Sequence, residues 1–171
     1  GRIFANNFFI DSLNFGNPDV DIEAYNDFID LKTGWFAATG NNSAKLEMHA
    51  DFLSKDHFIV ELERGYFNIR DLRWDIDERA IFEKDSTSLI FDSFRIHSGE
   101  QTVILDGKIG MSLSDTLRFN IENFDLASLD SMGLGVQKDI SGLVNLKGAV
   151  SNFYESTAIE AEGDVENFVF G

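Results

Sequence analysis

The sequence contains no cysteine and a single proline, Pro18. Without cysteine there is no disulfide framework, no thiolate nucleophile and no thiolate metal site. Basic residues are scarce as well. Fourteen Lys and Arg stand against thirty Asp and Glu, a formal net charge of −16. Such a field repels phosphate backbones, so no nucleic-acid partner is expected. It also opposes docking on anionic lipid through charge. No apolar run approaches the roughly eighteen residues that a membrane span requires, and no signal peptide is present. The sequence has no G-x-S-x-G elbow, no phosphate loop and no dinucleotide fingerprint.

What is present is apolar and strongly patterned. The 171 residues are 43% hydrophobic and include seventeen Phe, enough to build a core. From Gln101 to Leu126, residues Val103, Leu105, Gly107, Ile109, Met111 and Leu113 occupy every second position. Period two over that length is a β-strand with one apolar and one wet face. Ser114 and Asp115 read as a turn, and Leu117, Phe119 and Ile121 resume the alternation, which makes a hairpin. The first strand would span about 36 Å. At Asn123-Phe124-Asp125-Leu126 the apolar parity switches, which predicts a bulge or bend.

The same alternation recurs at Ala44 to Phe52, Phe58 to Leu62, Val144 to Val150 and Ile159 to Val165. Ile3 to Phe15 reads as strand, Asn17-Pro18-Asp19 as a turn, and Gly40-Asn41-Asn42 as another. Asp77 to Ser88 is read as a short strand or a helical turn around Ala80-Ile81-Phe82, and Ala127 to Lys138 as a connector. The fold class is therefore all-β, with long and mostly antiparallel strands, because the connections are short. Three segments repeat weakly. Phe9 to Phe15 matches Ile90 to Ile96, Leu105 to Ile109 matches Leu146 to Val150, and Glu122-Asn123-Phe124 returns as Glu166-Asn167-Phe168. Residues 1–171 are thus read as one β-repeat unit with approximate halves 1–88 and 89–171, built from degenerate hairpins. Both ends fall in strand-like sequence, so a piece of a longer chain is expected.

Polar candidates carry little chemistry. His49, His57 and His97 lack metal-ligand spacing. Asp19, Asp21 and Glu23 resemble a calcium-loop fragment without its Gly and its closing Glu. Asp75, Asp77 and Glu78 form a carboxylate cluster with no base, nucleophile or oxyanion element beside it. No catalytic residue, no metal and no cofactor is expected, and the chain reads as a non-enzyme. Trp35, Trp74 and Tyr66 could stack on sugars, which leaves a β-sandwich binding module for a glycan or a protein at the cell surface as the alternative. Gly107 and Gly148 in mid-strand suggest sheet bending or close backbone approach.

Leu105-Asp106-Gly107, the alternating strand ending in Asn123-Phe124-Asp125-Leu126, the entry Ile140-Ser141-Gly142 and the strand element Leu146-Lys147-Gly148 together resemble the TamB/AsmA-like family. These are the translocation and assembly module proteins of bacterial envelopes, and the likeness is to the Bacteroidetes form. It is clearest from about Phe94 to Phe170. The proline usual after the L-x-G element has no counterpart. The resemblance implies a non-enzymatic protein anchored in the inner membrane through a segment outside this sequence and crossing the periplasm. It implies a curved, taco-like open β-groove and roles in outer-membrane biogenesis, phospholipid transport and protein secretion. Its partners would be a phospholipid or other acyl-chain lipid and an outer-membrane assembly-machinery protein.

An apolar gutter suits that role. Transfer of acyl chain out of water is worth about 0.8 kcal/mol per CH₂, roughly 13 kcal/mol for a sixteen-carbon chain. The expected lining is Leu46, Met48, Phe52, Phe58, Val60, Leu62, Val103, Leu105, Ile109, Met111, Leu117, Phe119, Ile121, Val144, Leu146 and Val150. The same side chains would also meet in a dry sandwich core. Open edges further predict that the fragment can pair strand-to-strand with a second copy.

Overall fold

Alternation of the kind seen above builds strands, and short turns between them dictate antiparallel neighbours. The computed structural model describes residues 2–4, 8–10, 13–25, 27–36, 43–69, 72–76, 79–131, 140–154 and 156–170. Among these are thirteen strands: β1 (Arg2–Phe4), β2 (Phe8–Ile10), β3 (Leu13–Tyr25), β4 (Phe28–Phe36), β5 (Ser43–Ser54), β6 (His57–Ile69), β7 (Leu72–Ile76), β8 (Ala80–Lys84), β9 (Ser88–Ser98), β10 (Gln101–Gly110), β11 (Thr116–Asp125), β12 (Ile140–Ser151) and β13 (Ala158–Phe170). One short helix, α1 (Ala127–Ser131), follows β11. The strands form a single antiparallel sheet in the order β1-β3-β4-β5-β6-β7-β9-β10-β11-β12-β13. β2 also lies on β3, and β8 lies between β6 and β9.

The all-β, antiparallel expectation holds, and several boundaries differ. Ile3 to Phe15 is not one strand but β1, β2 and the start of β3. Asn17-Pro18-Asp19 is not a turn. It lies inside β3, with Pro18 opposite Trp35. β1 covers β3 at Asp19 to Asp21 and β2 covers it at Leu13 to Gly16, so among the described residues Pro18 falls in a stretch with no outer neighbour. That is the edge setting in which a strand tolerates proline. The turn expected at Gly40-Asn41-Asn42 lies outside the described residues. β10 stops at Gly110, not Leu113, because Asp115 closes the turn early. Its side chain accepts a hydrogen bond from the Ser112 N–H (3.1 Å), and its own N–H donates to the Ser112 carbonyl (3.0 Å).

The ambiguous stretch before Ser88 is strand β8, in line with β7. The two share β6 as partner: β7 pairs with Gly65 to Ile69 and β8 with Phe58 to Leu62. The turn from β8 to β9 is held by Asp85. Its carboxylate accepts hydrogen bonds from the N–H and hydroxyl of Thr87 (2.6 and 2.9 Å) and from the N–H and hydroxyl of Ser88 (2.7 and 3.0 Å). Those donors, the Thr87 N–H first, hold the Asp85 carboxyl well below the usual carboxylate range.

Bulges fall where the apolar parity switches. Ser93 in β9 and Asn123 in β11 adopt φ of 58° and 51° at register shifts against β10 and β12. Asn167 in β13, at φ 53°, sits at the shift against β12. Glu122-Asn123-Phe124 and Glu166-Asn167-Phe168 therefore repeat in backbone conformation as well as in sequence. A left-handed residue adds one position to its strand and returns the following Phe to the apolar parity.

Gly107 illustrates what one such position requires. Its φ is +120°, and a Cβ there would lie 2.2 Å from the Thr116 carbonyl oxygen. Gly99 also has positive φ (+59°) but has open space around it. Urea unfolding should therefore separate the two effects. Gly99→Ala should cost about 1 kcal/mol from backbone strain alone. Gly107→Ala should cost about 3 kcal/mol, because strain and overlap add. Equal losses would show that the close approach at Gly107 carries no energy.

Candidate functional site

Cross-strand register fixes which side chains share a face. Beginning at β10, Val103 pairs with Ile121, Leu105 with Phe119 and Gly107 with Leu117. In β12 the same row continues as Leu146, Gly148 and Val150, and in β13 as Gly163, Ala161 and Ile159. In the other direction Leu105 meets Phe94, Val103 meets Ile96 and Ile109 meets Leu89. Phe91 pairs with Phe82, Phe82 with Val60, and Val60 with Ala50. Ala50 pairs with Ile29 and Met48 with Leu31, which carry the row to Ala24 and Ile22 on β3. One apolar face thus runs unbroken from β3 to β13.

Fifteen of the sixteen expected lining residues lie on this face: Leu46, Met48, Phe52, Phe58, Val60, Leu62, Val103, Leu105, Ile109, Leu117, Phe119, Ile121, Val144, Leu146 and Val150. Met111 does not. It lies past the end of β10 in the turn, 70% exposed. The face is not uniformly buried. Among the described residues, the buried apolar side chains are Ala44, Leu62, Trp74, Ile76 and Ala80, on β5 to β8. Leu46, Met48, Phe67, Phe82, Phe94 and Ile96 pack around Leu62, Ile76 and Ala80. The β10–β12 row remains half-buried along its length.

Trp74, Ile76 and Ala80 were absent from the sequence-derived lining, yet they are its tightest part. Trp74 is 1% exposed and stacks on Phe124 with ring centroids 6.1 Å apart. β7 and β11 are three strand spacings apart, about 14 Å on a flat sheet. The two rings therefore reach toward each other over the apolar face. The Phe124 side of the contact follows from the Asn123 bulge. Small residues lie across from large ones along this face. Gly65 lies opposite Leu46, Gly148 opposite Phe119 and Gly163 opposite Leu146. A Cβ on Gly148 would meet the Phe119 ring at 2.7 Å and the Glu160 carbonyl at 2.3 Å. Close approach, one of the two readings of Gly107 and Gly148, is what both positions display.

The opposite face is mostly polar, with Ile59, Ile81, Ile90 and Ile104 set among charged and amide side chains. His49 Nδ1 lies 2.5 Å from Asp30 Oδ1, and its Nε2 lies 3.3 Å from Asp51 Oδ1. The hydrogen bond to Asp30, aided by Asp51, raises the His49 pKa above 6.5, against a smaller desolvation that lowers it. A raised folded pKa gives stability that is fully present below the unfolded value of about 6.5 and lost as pH rises through the folded value. The stability difference between wild type and His49→Gln should therefore shrink across that window, and NMR titration of the ring should report a pKa above 6.5. A flat difference from pH 5 to pH 9 would refute the bridge.

The remaining polar candidates assemble no chemistry. His57 Nε2 lies 2.8 Å from Glu83, and Asp75 is held by the Arg73 guanidinium at 2.6 Å. Asp77 and Glu78 lie outside the described residues. Asp19, Asp21 and Glu23 sit on the extended strand β3, not on a loop. Among the described residues no group of three or more His, Asp or Glu could hold a metal. The sugar platform is corrected for Trp74, which is buried, and for Tyr66, whose ring is covered by Arg73 at 4.1 Å. The Trp35 side chain lies outside the described set. No described helix is long and apolar enough to cross a membrane.

The chain matches no family model, no curated protein and no solved structure.

Proposed function

We propose that this chain is a non-enzymatic part of a periplasm-spanning envelope-biogenesis protein of the TamB/AsmA-like kind. Its apolar sheet face carries acyl-chain lipid and supports the passage and assembly of outer-membrane proteins. Its anchor in the inner membrane lies outside this sequence, and its far partner belongs to the outer-membrane assembly machinery. The observation that carries the reading is the unbroken apolar row from Ile22 to Ile159, half-buried along β10 to β12. An ordinary sandwich would bury that row to dryness beneath a second sheet, whereas the described strands all pair into one sheet.

Physics supports the lipid half of the proposal. A row of methyl and phenyl groups offers an acyl chain contact at every strand spacing, about 4.8 Å apart. No described carboxylate of the β10–β12 segment shares that row: Asp106 and Glu122 pair on the polar parity. A headgroup could stay in water at the open side while the chain moved from contact to contact.

The test is native mass spectrometry of protein purified without detergent, followed by lipid extraction and uptake of an added fluorescent phospholipid. Co-purified phospholipid, or saturable uptake, is the expected result. A lipid-free mass with no uptake would sink the proposal and favour a closed binding module.

A further inference from the structure

The two ends of the strands differ. The turns after β5, β8 and β10 lie at one end, and the turn after β9 lies at the other together with α1. Outside β12 and β13, every large apolar side chain exposed among the described residues falls at the first end. Tyr25 ends β3, Phe52 and Leu53 stand near the end of β5, and Met111 and Leu113 lie in the turn after β10. The other end is closed. Ala44, Trp74 and Ile76 are buried there, and Trp74 stacks on Phe124. The Ser128 hydroxyl of α1 and the Asp125 N–H both donate to Gln101 Oε1, at 3.4 and 3.0 Å.

The apolar bed between the two ends carries one charge. From β5 to β12 the register sets a single charged side chain on this face, Lys84, which follows Ala80 and Phe82 on β8 and stands between Phe58 and Leu89. Lys84 belongs to the open end, in the row of Leu89 and Ile109. It is half-buried, and its Nζ donates to the Asp85 carbonyl. An ammonium with three donors has capacity beyond that one bond. Its stem can lie along apolar surface while its head stays at the water's edge, where an amphiphile presents its acid. Ile109 and Val103 are about 20 Å apart along β10. Val103 pairs with Ile96, which packs on the buried cluster containing Ile76. One leaflet of a bilayer about 40–45 Å thick has a similar length.

We propose that a lipid lies along the strands on this face, its acidic headgroup oxygens on Lys84 at the open end and the methyl end of its chain toward the Trp74–Phe124 pair. This inference rests on the lipid reading above and adds the orientation of the ligand and the chemistry of its headgroup, phosphate or carboxylate. Passage from strand to strand then moves the chain sideways and keeps the headgroup at one rim.

Trp74 can report the chain end directly, because bromine quenches indole fluorescence only at short range. The test uses the intact chain carrying Trp35→Phe, or Trp35→Tyr should the first misfold. It is loaded with phosphatidylglycerol or free fatty acid brominated near the methyl end or near the carboxyl end of the chain, and unbound lipid is removed. Methyl-end bromine should quench Trp74 more strongly, by about twofold or more. Lys84→Gln should weaken binding about tenfold, and Lys84→Arg should preserve it. Neither should alter uptake of brominated diacylglycerol, which has the chains without the acid. A loss confined to phosphatidylglycerol assigns phosphate as the headgroup acid, and one confined to the fatty acid assigns carboxylate. Equal quenching from the two bromine positions, or stronger quenching from the carboxyl end, would overturn the orientation. An equal loss of acidic lipid and diacylglycerol in Lys84→Gln would reduce Lys84 to a cap on the Asp85 carbonyl and overturn its role. Failure to bind any of these lipids would instead overturn the lipid reading itself, a result distinct from binding in the wrong orientation.

Discussion

Trp74→Ala should lower stability by about 3–5 kcal/mol, the usual cost of emptying a large aromatic site in a core. Trp74 is 1% exposed and ties β7 to Phe124 on β11, so its loss leaves a cavity and uncovers Phe124 together. Trp74→Phe should behave very differently. Among the described residues no acceptor reaches Trp74 Nε1, which is buried. A buried donor without a partner already costs roughly 1–3 kcal/mol, and Phe removes it. The area lost with the indole is then largely offset, and Trp74→Phe should cost under about 1 kcal/mol. Urea unfolding of both variants decides the point. If Phe proves as costly as Ala, the indole N–H has a partner after all. If Ala is tolerated, the Trp74–Phe124 contact does not hold β7 to β11.

Much of this architecture is legible in the alternation, because period two is local. Ala44 to Phe52, Phe58 to Leu62 and Val144 to Val150 each announce a strand and its apolar face. The parity switch at Asn123 announces its bulge. What escapes is whatever depends on partners distant in sequence. That β7 and β8 share β6, each on one half, is decided by pairing Ile76 with Gly65 and Ala80 with Leu62, and neither short segment carries enough alternation to show it. Trp74, Ile76 and Ala80 went unassigned for the same reason. Their even parity is visible, but nothing local says that even positions there and odd positions at Val103 and Leu105 point the same way. Pairing register performs that conversion: Asp75 faces His97, and the hairpin that sets Ser98 against Gln101 puts Ile96 opposite Val103. Pro18 misled because a proline beside Asn and Asp reads as a turn, whereas its tolerance depends on which neighbour is missing. Met111 misled because alternation runs on past the point where Asp115 captures the turn.

The candidate site follows the same logic. A one-face-apolar sheet can be read from residues alone, but its depth of burial cannot. Burial depends on which side chains meet across strands, and so on where a glycine faces a large one. Gly148 beneath Phe119 and Gly163 beneath Leu146 are pairs fixed by register. Either glycine seen singly in the sequence is only a gap in a strand pattern.

Leu105→Asp should abolish most lipid uptake while leaving the sheet folded. Leu105 sits between Phe94 and Phe119 in the middle of the apolar row, and it is half-buried. A carboxylate there would have to keep its water, so an acyl chain passing over it loses contact for about three methylenes. At about 0.8 kcal/mol each, that is roughly 2 kcal/mol, or about thirtyfold in affinity. Phe119→Asp, on the neighbouring strand, should act alike, with a larger loss of stability because the ring also covers Gly148. The control is Asn120→Asp, which adds the same charge one residue away on the polar face and should leave uptake unchanged. Fold is checked by far-UV circular dichroism and urea unfolding. A pH series sharpens the test. Between two phenyl rings the introduced carboxyl is desolvated, its pKa rises above the usual 3.9, and it neutralises as pH falls. Uptake by Leu105→Asp should therefore recover in part between about pH 6 and pH 4, while Asn120→Asp stays level with wild type. Should Leu105→Asp carry lipid as well as wild type at neutral pH, the apolar row is packing and not a path, and the proposed function fails with it.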